Sequence, residues 1–167
     1  MRLYLLRHAI AVERGTEGYE QDDTRPLTPK GERRMARIAR GIRGLRLPFD
    51  LILSSPVLRA RQTAEILVRF LGDESLLHFT EHLRPDGNSA LLIEEIRTDH
   101  ARCRNVVLVG HQPYLGELAS RLIDGRPGSA IDLKKGGLAR LTTDGLKNGK
   151  CATLDWLLSP RILVALK

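Results

Sequence analysis

The chain has 167 residues, 42% hydrophobic and 28% charged, which excludes a compositionally disordered protein, and no uncharged apolar span is long enough to cross a bilayer. Net charge is +7, from 21 Arg against 6 Lys; the basic residues form no block, and seven aromatics offer little for base stacking, so no nucleic-acid partner is expected. Cys103 and Cys151 lie far apart with no CxxC spacing, which excludes a disulfide framework and a zinc ribbon.

This length predicts one domain, residues 1–167, able to bury about 70% of its unfolded surface without disulfides or a metal. The first residues carry one basic side chain, a short apolar run and then charge, too short for a signal peptide. A cytoplasmic, monomeric protein with no membrane contact is expected.

"RLYLLR" reads as a buried strand, followed by a polar loop from Glu13 to Arg25. In "LTPKGERRMARIARGIRGL", Thr28 is placed to cap a helix and Pro29 to occupy its first position. Met35, Ile38, Ala39, Ile42 and Leu45 share one face of that helix, and arginines 33, 34, 37, 40 and 43 cover the rest. "FDLILSSP" predicts a second buried strand, and Pro56 opens a helix with Val57, Ala60, Ala64, Leu67 and Leu71 inward. "LLHFT" is a short strand, and "NSALLIEEIRT" a helix capped by Asn88. "NVVLVG" is the clearest strand, with a helix from Pro113 to Ile123 behind it. "GGLARLTT" and "CATLDWLL" alternate like a strand pair joined by "DGLKNGK". Strands separated by helices imply a three-layer α/β/α sandwich with a mainly parallel sheet and an antiparallel edge.

Open sheets of this kind bind ligands beyond the carboxyl ends of their strands. Arg7 and His8 end the first strand. Ser54 and Ser55 end the second, with Arg59 in the first turn of the next helix, and Gly110, His111 and Gln112 end the strand from Asn105. A lone strand-end histidine is more often a structural group, and a lone first-turn arginine is more often solvated. Together, two histidines and two arginines make a poor core and a good phosphate clamp. A neutral imidazole can attack phosphorus, and guanidinium groups match phosphoryl oxygens without a metal. A second, protonated histidine can share that charge. No HxH, HExxH or paired-carboxylate spacing appears around His78, His82 or His100, so no metal and no cofactor are expected.

"LLRHA", "PLTPKG", "SSPVLRARQTA" and "VVLVGHQP", in that order over nearly the whole chain, resemble the histidine phosphatase (phosphoglycerate mutase-like) superfamily. "DDTRPLTPKG", the small size and "LDWLLSPRIL" are most similar to its small bacterial phosphohistidine phosphatases. The resemblance implies that His8 is the nucleophile and that Arg7, Arg59 and His111 bind phosphate, with Arg25 turned toward it. Two departures stand out. Ala9 replaces a glycine, which an ordinary φ would tolerate. Glu81 and Asp86, in "TEHLRPDG", are the candidate general acids, without the family's usual spacing or flanking residues.

An alkoxide leaving group needs such an acid, whereas an imidazole can already carry a proton on its remote nitrogen. The implied activity is therefore a metal-independent phosphatase for phosphohistidine on a signalling or phosphotransfer protein. The alternatives are a sugar-phosphate phosphatase of the same superfamily and a non-catalytic basic binding module.

Overall fold

The computed structural model describes residues 1–126, 128 and 131–166. Strands β1 (Arg2–Arg7), β2 (Leu51–Ser54), β3 (Leu77–Phe79), β4 (Asn105–Gly110), β5 (Leu138–Thr142) and β6 (Thr153–Leu158) form one sheet in the order β3-β2-β4-β1-β5-β6. The first four strands run parallel, while β5 runs antiparallel to β1 and to β6.

Successive side chains of a strand point to opposite faces, so β1 and β4 feed two separate cores. Leu3, Leu5, Val106 and Leu108 pack with helices α3 (Ser89–Thr98) and α4 (Tyr114–Asp124). Tyr4, Leu6, Val107 and Val109 pack with helices α1 (Pro29–Gly44) and α2 (Leu58–Leu71). The result is the α/β/α sandwich expected, with its antiparallel edge at β5 and β6. Thr28 caps α1 with its side chain on the Gly31 N–H and Pro29 is its first residue; Asn88 caps α3 through the Ala90 and Leu91 N–H groups. Among the described residues, no helix is long and apolar enough to cross a membrane.

Three local expectations are corrected. The helix after Pro56 begins at Leu58, with Val57 as its cap. Leu45 and Leu71, placed inward by helical spacing, are only half-buried because each stands at the end of its helix. The chain does not end with the strand pair: a short helix α5 (Pro160–Ala165), capped by Ser159, follows β6 and packs on α1.

Candidate active site

The order of the central strands brings the expected residues together. Arg7 lies opposite Gly110 across β1 and β4, and Ser54 lies opposite Val109 across β2 and β4, so all three strand ends open on one edge. The backbone fixes the turn that follows β1: the His8 N–H donates to Gly110 O at 2.9 Å, and the Ala9 N–H donates to Thr63 Oγ1 at 3.0 Å. Thr63 in turn donates to Arg59 O at 2.7 Å, tying the first turn of α2 to this loop. Among the described non-glycine residues only Arg46 has a positive φ, so the alanine at position 9 costs no backbone strain.

His8 Nδ1 lies 2.8 Å from Ala9 O. A carbonyl can only accept, so Nδ1 carries the hydrogen and Nε2 keeps its lone pair. Burial, reinforced by Arg59 and Arg7, pushes the ring down to about 3. The ring is therefore neutral at physiological pH, with the Nε2 lone pair free.

The His111 ring stands 5.2 Å from that of His8, centroid to centroid, tilted by 51°. Its Nε2 lies 2.9 Å from Ser55 Oγ. Burial first, then the neighbouring His8 and Arg59, push His111 down to about 2. This corrects the expectation of a protonated second histidine. In the site as it stands both rings are neutral, because a buried imidazolium would face another imidazole and an arginine. A neutral His111 still donates one N–H. Nδ1 is a buried atom without a protein partner; a hydrogen there, with the Ser55 hydroxyl donating to Nε2, would supply one more donor to an anion.

Arg7 Nη1 donates to Leu133 O at 2.7 Å and lies 3.7 Å from Asp132. Arg59, 3% exposed, donates from Nη1 to Asp22 O at 2.8 Å and from Nη2 to Asp22 Oδ2 at 2.9 Å. The Nε atoms of Arg7 and Arg59 are buried and unpartnered, like Nδ1 of His111. A buried donor left unmade costs on the order of 1–3 kcal/mol. Three at the edge of one sheet form a cradle that an anion's oxygens would complete.

Arg25 joins the cluster through Asp22, which accepts from its Nε at 3.0 Å and its Nη2 at 2.7 Å; it also donates to Val12 O. Arg14 donates to the same carboxylate at 2.9 Å. Burial would raise Asp22, but the hydrogen bonds from Arg14 and Arg25 and the charge of Arg59 hold it well below the usual carboxylate range. Glu81 and Asp86 pair with neither the histidines nor Arg7, Arg25 or Arg59. Both are exposed, 3.6 and 3.5 Å from Arg84 Nε, and Arg84 also binds Asp23.

Sequence reasoning passed over Asp22, Thr63, Arg84 and Lys135, and it placed Ser55 at the strand end without giving it a partner. The charges of Lys135 and Arg84 reach His8 and His111 respectively. Lys135 is held near the end of β1 by Gly136, whose φ of 80° suits glycine and whose N–H donates to Arg7 O at 3.0 Å. Among the described residues, no three His, Cys, Asp or Glu side chains are grouped to hold a metal ion.

Fold and side chains define an α/β protein with a mainly parallel sheet and a positively charged anion cradle around a neutral histidine. Residues 3–84 match the model of the histidine phosphatase superfamily, branch 1. An uncharacterised protein of Picosynechococcus sp. is 43% identical over 151 residues, 89% of this chain and 86% of its own. Phosphohistidine phosphatase SixA of Escherichia coli is 27% identical over 161 residues, 96% of this chain and 94% of its own. A solved structure of the protein histidine phosphatase SixA complexed with tungstate has a TM-score of 0.82 at 26% identity, covering 96% of this chain and 98% of that one. At 21% identity and a TM-score of 0.71, a putative alpha-ribazole-5'-P phosphatase from Escherichia coli shares the fold, over 96% and 97% of the two chains. The chain belongs to the histidine phosphatase superfamily and is a phosphatase of that class.

Proposed function

We propose that this phosphatase removes phosphate from phosphohistidine on a protein, through a phosphate held covalently on His8. The observation that carries this reading is the set of unpartnered buried nitrogens of Arg7, Arg59 and His111 beside an imidazole whose Nε2 is bare. The likeness to SixA over nearly the full length of both chains supports the substrate.

In the first step the Nε2 lone pair of His8 forms a bond to phosphorus as the substrate's own N–P bond breaks. The electron pair of that bond stays on the departing imidazole, whose other nitrogen already carries a proton. Arg7, Arg59 and His111 hold the equatorial oxygens where charge accumulates, and Arg25 supports Arg59 through their shared carboxylate. In the second step water attacks phosphorus and the pair of the His8 N–P bond returns to Nε2. One water proton stays on the new phosphate oxygen and the other passes to solvent. Glu81 and Asp86 remain the candidates to protonate an alcohol leaving group, a task an imidazole does not impose.

The test is kcat/KM on a phosphohistidine-bearing protein against a panel of sugar phosphates. The proposal requires the protein to win. A sugar phosphate ahead by about tenfold, or about 1.4 kcal/mol of transition-state preference, would assign the chain to small phosphoesters instead.

A further inference from the structure

Two adjoining grooves leave the mouth of the site across the α1 side of the sandwich. The nearer, of about 570 Å³, is walled by Arg7, Arg34, Lys134, Lys135 and Arg161 together with Ile10, Ser159 and Pro160. The farther, of about 620 Å³, runs over Lys30, Arg33, Arg34 and Arg37 to the start of α5. They share Arg34, Pro160 and Arg161, and neither wall contains an acidic residue. Among the described residues, Lys30, Arg33, Arg34, Arg37, Lys135 and Arg161 form no ion pair.

Folding alone does not account for this surface. Lys30, Arg33, Arg34 and Arg37 are three or four residues apart on one helix, where like charges repel by a few tenths of a kcal/mol per pair. An anionic surface laid over them would offset that repulsion. The track begins at Arg7, so whatever covers it also reaches the site. Its farther part spans Lys30 to Arg37, about 10 Å along the helix axis, the footprint of a macromolecular face rather than of a single phosphoryl group. Neither wall holds an aromatic ring on which bases could stack.

We propose that this double groove seats an acidic face of the phosphohistidine-bearing protein and thereby presents its phosphorylated imidazole to His8. The inference rests on the function proposed above and adds the surface through which the substrate is chosen.

The test uses the full chain and two variants, Arg33→Glu/Arg37→Glu and the milder Arg33→Gln/Arg37→Gln. Their substrates are an acidic and a basic carrier protein, each phosphorylated on histidine with phosphoramidate, and free phosphohistidine. Charge reversal should lower kcat/KM on the acidic carrier by about tenfold or more, mainly through KM, and flatten its salt dependence. Free phosphohistidine should be turned over within about twofold of the parent rate, and the Gln variant should fall between on the acidic carrier. Unchanged turnover of the acidic carrier overturns the docking surface, and so does equal loss on free phosphohistidine in both variants. Equal turnover of both carriers by the parent chain overturns docking but leaves the function standing. A parent chain active only on sugar phosphates overturns both. Tighter binding of single-stranded RNA or anionic vesicles than of the acidic carrier, lost on charge reversal, reassigns the groove and overturns the proposal.

Discussion

At the scale of single residues, the site depends on a carboxylate that touches neither histidine. Asp22 accepts from Arg14, Arg25 and Arg59 and so sets where two guanidinium groups point. Asp22→Asn keeps the shape but removes the charge, leaving Arg25 and Arg59 to repel one another. kcat/KM should fall by about 10- to 100-fold, about 1.4–2.8 kcal/mol of transition-state stabilisation, while Asp22→Glu should recover part of it. Wild-type kinetics in Asp22→Asn would remove Asp22 from the account. The two histidines set a pH dependence of stability. Each has a folded value far below the 6.5 of a free imidazole, at about 3 for His8 and about 2 for His111. Between about pH 3 and 6.5 the unfolded chain therefore binds more protons than the folded one, and stability rises with pH. Asp22, depressed in the fold, acts in the same direction: its contribution is present above the ordinary carboxylate value and is lost as pH falls. The urea midpoint should drop steadily from pH 7 to pH 4, and His111→Gln should flatten that slope. A midpoint independent of pH would contradict buried, neutral rings.

Among elements, α1 holds the tightest approaches found at the described glycines. A Cβ on Gly41 would stand 1.9 Å from Leu163 O of α5, and one on Gly31 1.9 Å from Ile10 O. Propensity alone would make Gly41→Ala stabilising by about 1 kcal/mol. The clash is with a backbone carbonyl, which cannot swing aside, so overpacking should win and the variant should lose about 1–3 kcal/mol in urea unfolding. A gain would mean that α5 is not seated there. The same pair of helices shows where sequence reading works. "LTPKG" announces α1 by a cap and a proline, and five apolar residues on one face carry it on. "LSPRIL" carries a similar start, Ser-Pro in place of Thr-Pro, yet its six helical residues make fewer than two turns, too short for periodicity to register. Strand ends were legible because buried runs stop abruptly, which placed Arg7, His8 and His111. Asp22 was not, since it meets Arg59 from 37 residues away, through a loop with no repeating pattern. The neutrality of His111 was equally hidden, because it follows from tertiary burial.

For the molecule as a whole, strand order makes the site. β1 and β2 both lie beside β4, so three chain segments far apart in sequence deliver His8, Arg59 and His111 to one edge. Arg7, Arg34, Lys134, Lys135 and Arg161 line the groove beside that edge, and encounter with an anionic protein should slow as salt rises. In the proposed reaction phosphate passes from a protein histidine to His8 and then to water. Rapid-quench mixing with a carrier protein bearing radiolabelled phosphohistidine tests it most directly. Label should appear on the chain within the first turnover, be acid-labile and base-stable, map to His8 and vanish in His8→Ala. Release of phosphate at the full rate with no labelled chain, or labelling that persists in His8→Ala, would contradict the account.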